Sequence, residues 1–438
     1  MTVVLKYFVL MCCVLSIAGC NIIAPDLQRI YQSSVDSDVP PVILIHGAFG
    51  ARLCDAFGTE KWPGPISTLL FGSYADLALT DDVPLYVCGI TDRVAGFDYY
   101  GTIEDTLLTA GGYHFSQVGD AAVANKRHYY RFEYDWREDL QHTAAKLDQF
   151  VEQIRLDHAD PKLRVDIVAH SMGGLITRYW LRYGQQDVLN SNEFAINNSG
   201  LNKTRKVILL GTPNFGSVSA LQQLLTGAPV GFNHIPAEVL QTFPSSYQLL
   251  PHPLRNAVVG GKGQVLHRDI FDIDVWQALQ WGPFSLDKES TQSDNIALVT
   301  TDDLYKQLER ARRFVWSLSV KNDNPMEQLI VFGGDCHQTP ARILIEDIDN
   351  ESFVRLWPKE IKAPLKNIDY EALMLEPGDG AVSKQSLLAK TALDPLQPRH
   401  QYSYFPLQYA VMICEQHSRL PGNITFQDNL LHILLTKD

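Results

Sequence analysis

The chain has 438 residues, 45% hydrophobic and 20% charged, an ordinary globular composition with ample length for a large buried core. Length alone, at about 150 residues per domain, suggests three domains, but α/β enzymes often carry large insertions within one fold. The formal net charge of −13 repels polyphosphate and argues against nucleic-acid binding, and no block of like charges forms a charged tail.

At the N-terminus, Lys6 supplies a positive charge before an apolar run from Tyr7 to Ala18. The run is shorter than the ~20 residues a transmembrane helix needs. It ends in Ile17-Ala18-Gly19-Cys20. Small residues before a cysteine resemble the lipobox of bacterial lipoproteins, which are cut before the cysteine and acylated on its thiol and new amine. The resemblance implies a signal peptide over residues 1–19 and lipidation of Cys20; an ordinary secretory signal peptide is the alternative. Asn21, rather than Asp, follows the cysteine, which by the same likeness implies sorting to the outer membrane. The expected location is an exported lipoprotein at the outer-membrane or periplasmic face of a bacterium, held to the membrane surface by its anchor. Residues 20–39 read as a polar tether, closed by Pro40-Pro41.

Val42-Ile43-Leu44-Ile45 is a continuous β-branched run, the pattern of a strand buried on both faces. Comparable segments recur at Tyr129–Tyr134, Val165–Ala169, Val207–Leu210 and Leu329–Phe332. Between some of them lie helical patterns. Ala144, Leu147, Val151 and Ile154 share one face, and Gly174–Tyr183 forms a second helix. Strands alternating with helices predict an α/β fold with a mostly parallel, doubly wound central sheet over residues 40–438. Residues 214–325 are long, aromatic-rich and irregular, and read as an inserted cap. Residues 54–88, bracketed by cysteines and containing Trp62-Pro63-Gly64, read as a small lid loop. A last helix is expected from Phe426 to Leu435.

Of seven cysteines, Cys12 and Cys13 leave with the signal peptide and Cys20 is assigned to lipidation. Cys54, Cys88, Cys336 and Cys414 remain, an even number in an exported protein, and four cysteines allow three pairings. Cys54–Cys88 and Cys336–Cys414 are the expected pairs, with buried free thiols as the alternative.

Val168-Ala169-His170-Ser171-Met172-Gly173-Gly174 carries the chemistry. A strand leads in, a helix leads out, and small residues at 169 and 173 permit the sharp turn that projects a nucleophilic serine. The usual pattern is G-x-S-x-G, which points to the α/β-hydrolase fold; here Ala169 replaces the first glycine. A serine that merely caps a helix is the plainer alternative. His170 is a poor base for Ser171, because adjacent side chains project apart. Ester cleavage needs donors for a developing oxyanion. The Met172 N–H and the Ala48 N–H, in His46-Gly47-Ala48-Phe49-Gly50 after the first strand, are the expected pair. In this fold the acid and then the histidine follow the serine. Asp379, in the Gly-flanked turn of Gly378-Asp379-Gly380, is the expected acid, ahead of Asp335 and Asp349. His417, after the apolar stretch Tyr409–Ile413, is the expected base, ahead of His400 and His432.

These pieces resemble the lecithin:cholesterol acyltransferase family: Ile45–Gly50 with Leu53, Tyr134-Asp135-Trp136-Arg137, Ala169–Gly174, Gly211-Thr212-Pro213, Gly378-Asp379-Gly380 and His417. Tyr-Asp-Trp-Arg before the amphipathic helix is the most family-specific of them. The likeness spans most of residues 41–438, with the cap matching poorly. It implies a triad of Ser171, Asp379 and His417, an oxyanion hole from Ala48 and Met172, a lid bracketed by Cys54 and Cys88, and a Cys336–Cys414 link beside acid and base. Many members have Pro-Gly where this chain has His46-Gly47, and the Cys54–Cys88 segment is longer than the typical lid.

The expected activity is hydrolysis or transfer of lipid acyl groups through an acyl-serine, with no cofactor. The alternative is a catalytically silent surface lipoprotein that binds lipid or a protein partner. No metal is expected: H-E-x-x-H is absent, and Asp347, Asp349 and Glu351 lack the spacing and glycine of an EF-hand.

Overall fold

A computed structural model describes residues 24–31, 39–80, 84–94, 97–285, 299–349, 351–394 and 396–436. The apolar runs form a parallel sheet. Its strands are β1 (Val42–Ile45), β2 (Tyr113–Phe115), β3 (Arg127–Phe132), β4 (Val165–His170), β5 (Thr204–Leu210), β6 (Leu329–Gly334) and β7 (Leu407–Ile413). The spatial order is β7-β6-β5-β4-β1-β3-β2, and every neighbouring pair is parallel. In the centre, Ile45 stands opposite Phe132 on one side and Ala169 on the other, so β1, β3 and β4 end together.

Successive side chains leave opposite faces of a strand, so the sheet divides its apolar residues between two layers. Ile43, Ile45, Tyr130, Phe132, Ile167 and Leu209 fall in one core. Val42, Leu44, Tyr129, Val168, Ile208 and Leu210 fall in the other. Five helices matter to the site: α1 (Gly101–Thr109), α2 (Leu140–Asp157), α3 (Met172–Tyr183), α4 (Thr301–Ser317) and α5 (Ile424–Leu435). The first layer holds α2, α3 and α4. Ala144, Leu147, Val151 and Ile154 of α2 are fully buried there, as their spacing predicts. The second layer holds α1 and α5. Caps set where helices begin: the Asp139 carboxylate accepts from the Gln141 N–H at 2.8 Å, and the Asn423 side chain accepts from Thr425 and Phe426.

Three segments differ from their sequence reading. β2 is too short to show a pattern, and the reading passed over it. The expected tether is docked in part: residues 27–31 form a helical turn with Leu27 buried in the second core, and the Tyr31 hydroxyl reaches Asp428 of α5. The stretch 214–325 is not one cap. α4 belongs to the sheet layer, where Phe314 stacks on Tyr179 at 5.6 Å. Val258–Gly260 pairs instead with Ile343–Ile348, beyond the expected boundary. Short strands with partners so distant in sequence leave no local periodicity to read.

Candidate active site

Ser171 lies between β4 and α3 with φ 54° and ψ −124°. Positive φ is costly for a side chain of this kind and is held here by the surrounding bonds. The Ser171 N–H donates to the Leu210 carbonyl at 2.8 Å, and the Ser171 carbonyl accepts from Gly174 at 3.0 Å. Although Ser171 occupies the N-cap position of α3, its hydroxyl makes no capping bond. The plainer reading of a capping serine therefore does not hold.

The hydroxyl is engaged elsewhere. Ser171 Oγ is 2.9 Å from His417 Nε2, and His417 Nδ1 is 2.8 Å from Asp379 Oδ2. Asp379 is 2% exposed, and its Oδ1 accepts from the Ala381 and Val382 N–H groups at 3.0 and 2.7 Å. Its carbonyl also accepts from the His417 N–H at 3.0 Å, so Asp379 and His417 are joined by backbone as well as side chain. Burial alone pushes His417 toward the neutral form; the charge and hydrogen bond of Asp379 outweigh it and hold the imidazole above the ordinary histidine range. Gly211, at φ 60°, lies under the ring: a Cβ there would stand 3.2 Å from His417 Cε1. In this geometry the serine proton has an acceptor, and the resulting imidazolium has a fixed counter-charge.

The loop after β1 packs directly on Ser171. A Cβ on Gly47 would come within 2.7 Å of Ser171 Cβ, a contact that only glycine permits. Met172 opens α3, and the first N–H groups of a helix lack intrahelical partners. The Tyr134-Asp135-Trp136-Arg137 motif clamps the loop. Tyr134 stacks on His46 at 4.1 Å and donates its hydroxyl to the His46 carbonyl. Trp136 packs against Phe49 and Trp62, and its Nε1–H donates to the Ala51 carbonyl at 3.0 Å. Arg137 and Asp135 form a buried pair at 2.6 Å, and Arg137 also donates to the Leu77 carbonyl. Removing one partner of such a pair costs about 3–5 kcal/mol. Burial pushes His46 down to about 4, so its ring is a neutral spacer here.

The disulfides are Cys54–Cys88 and Cys336–Cys414. The first ties two strands of a small sheet, Ala51–Cys54 and Tyr86–Ile90, and the described residues between them form a flap that places Trp62, Tyr74 and Leu77 in the first core. The second joins the segment after β6 to the segment between β7 and His417. The rival residues lie elsewhere. Asp335 pairs with Lys384, Asp349 is in an exposed turn, His400 is exposed, and His432 is exposed on α5. Cys20 and the signal peptide lie outside the described residues. A cavity of about 590 Å³ near Arg164, Gln328 and Gln408 opens at the N-terminal strand ends, away from Ser171. Sequence reasoning missed Tyr100, whose hydroxyl bonds both Gly47 and His170; nothing in its local pattern marks it.

The solved structure of the Tle4-Tli4 complex is similar over 91% of this chain and 98% of that one, with a TM-score of 0.53 at 13% identity. The mature Bacillus licheniformis lipase BlEst2 aligns over 92% and 94% at 13% identity, with a TM-score of 0.37. Lipase 1 from Pelosinus fermentans aligns over 91% and 99% at 11% identity, with a TM-score of 0.34. At these identities the first likeness speaks to the fold. No curated protein sequence matches. The family model for lecithin:cholesterol acyltransferase matches residues 83–347. That span contains Ser171 but not Ala48, Asp379 or His417, which the fold brings to it. With more than half of the sequence matched, the chain belongs to the lecithin:cholesterol acyltransferase family.

Proposed function

We propose that this protein is a serine-dependent hydrolase or O-acyltransferase of lipid acyl esters. The observation that carries the reading is the unbroken Ser171–His417–Asp379 hydrogen-bond chain at the C-terminal edge of a parallel sheet. Ser171 Oγ attacks the ester carbonyl as His417 Nε2 takes its proton. The N–H groups of Ala48 and Met172 receive the oxyanion; losing one such donor costs about 10²–10³ in rate. Collapse breaks the ester C–O bond, and the leaving oxygen takes the proton from His417. Water or an acceptor hydroxyl then gives its proton to His417 and attacks the acyl-serine. The proton returns to Ser171 as the product leaves.

Two features support lipid as the substrate class. An apolar cavity beside Ala48 and Phe49, lined by Trp136, Leu224, Leu240 and Phe243, offers room for the start of an acyl chain. Large apolar side chains stand in solvent near one another: Ile66 at 66%, Phe71 at 87% and, on an adjoining hairpin, Phe232 at 91%. Asn233 joins hairpin to flap by donating to the Thr68 and Gly72 carbonyls. Exposed apolar patches of this kind mark interaction surfaces. Export and anchoring through acylated Cys20 belong to the same proposal.

The test is phospholipid with a labelled acyl chain, offered with a simple alcohol or sterol to a soluble form beginning at Asn21 and to its Ser171→Ala variant. Ser171-dependent free fatty acid identifies water as acceptor, and a Ser171-dependent new ester identifies acyl transfer. Full activity in Ser171→Ala overturns the site. A folded protein inactive on every ester tried supports the silent lipid-binding alternative instead.

A further inference from the structure

His170 neighbours the nucleophile in sequence, but its ring answers to other groups. Its Nδ1 lies 2.8 Å from the Tyr100 hydroxyl, and its Nε2 lies 3.3 Å from the His417 carbonyl oxygen. The same hydroxyl is 2.8 Å from the Gly47 nitrogen. Two of these groups have fixed roles: the Gly47 N–H can only donate, and the His417 carbonyl can only accept. The Tyr100 proton therefore goes to His170 Nδ1, and His170 carries its own proton on Nε2 and donates it to His417. The bonds run in one direction, from Gly47 to Tyr100 to His170 to His417. Tyr100 and His170 are both buried, and burial, reinforced by the neighbouring His417, holds His170 well below the ordinary histidine range and hence neutral.

We propose that the Tyr100 hydroxyl is a positioning group for catalysis, tying the Gly47–Ala48 loop through His170 to the backbone of His417. The proposal rests on the roles given above to Ser171, His417 and Ala48. The two ends of the tie need it because they come from distant strands. The Gly47 loop follows β1 and His417 follows β7, with β4, β5 and β6 between them in the sheet. Tyr100 comes from neither; it is the residue before α1, in the second layer. Its single oxygen fixes the loop that holds one oxyanion donor and also selects the His170 tautomer that can bond the base segment. The other tautomer would aim a lone pair at the His417 carbonyl and lose the bond. A displacement of about 1 Å between reacting groups costs on the order of 10²-fold in rate.

The first measurement is the tautomer of His170 in the folded wild-type protein, from proton–nitrogen correlations of ¹⁵N-histidine-labelled material at neutral pH. A neutral ring protonated on Nε2 is expected; a ring protonated on Nδ1, or charged, overturns the tie. The second is Tyr100→Phe, which removes only the oxygen. Its kcat on a soluble short-chain ester is expected to fall roughly 10- to 100-fold with KM nearly unchanged. In a His170→Gln background the same substitution is expected to cost much less, since both changes break one chain of bonds. An unchanged kcat in Tyr100→Phe, or an equal loss in both backgrounds, overturns the proposal. Wild-type activity in Ser171→Ala overturns the functional reading instead. The tautomer measurement needs no turnover and so separates the two failures.

Discussion

Asp379 is buried in a nearly closed site, where two backbone N–H groups hold one oxygen and His417 engages the other. The consequence falls on the base. Burial lowers the imidazole's affinity for a proton, and Asp379 more than restores it. In the proposed mechanism only neutral His417 can take the serine proton, so activity should rise with pH through a midpoint above the ordinary histidine value. In Asp379→Asn the charge is gone and burial remains. The midpoint should then move to lower pH, while activity near neutrality falls by about 10⁴-fold, as when other triads lose this charge. Profiles of kcat against pH on a soluble ester check both effects. An acid limb that stays in place in the variant would mean that Asp379 does not set the proton affinity of His417.

Among elements, legibility followed locality. The fully buried strands were readable because runs such as Val42–Ile45 need both faces covered, and the helix at 144–154 because its apolar stripe is contiguous. Ser171 was readable because one strand, one turn and one helix create it within ten residues. Asp379 and His417 are legible from chain order, a Gly-flanked turn, a preceding apolar stretch and likeness, but not their meeting, which depends on β6 and β7 lying side by side. Tyr100 left no signal, because a buried tyrosine before a helix looks the same whether or not its hydroxyl joins two loops. The Cys336–Cys414 bond is the element-scale counterpart of that joint. It spans 78 residues and ends three positions before His417. Closing a loop of that size stabilises by roughly 2–5 kcal/mol. Cys336→Ser with Cys414→Ser should therefore lower the melting midpoint by several degrees. It should also lower kcat on a soluble ester, because the base segment loses its anchor. Cys54→Ser with Cys88→Ser should cost comparable stability without freeing that segment. Equal kcat losses in the two double variants would show that the effect is global softening rather than release of His417.

At the scale of the whole molecule, the proposed anchor and the docked N-terminal turn set how far the body can stray from a bilayer. Leu27 is buried against the second core, and Tyr31 is bonded to Asp428. Leu27 lies seven residues after Cys20, a reach of at most roughly 25 Å. The exposed Ile66, Phe71 and Phe232 side chains are, in the proposed reading, a second attachment to lipid. In the proposed reading the apolar surface alone would be a weak, reversible attachment, whereas acylation of both the thiol and the amine of Cys20 would supply the two signals that stable anchoring takes. Cys20→Ala should accordingly shift the protein from the membrane fraction to the soluble fraction. Turnover of a short soluble ester should be unchanged, because Cys20 takes no part in the proposed chemistry of Ser171, Asp379 and His417, and turnover of vesicle phospholipid should fall. Fractionation and the two assays on one preparation decide the matter. Retention of Cys20→Ala in the membrane fraction would defeat the lipobox reading and leave the apolar surface as the attachment.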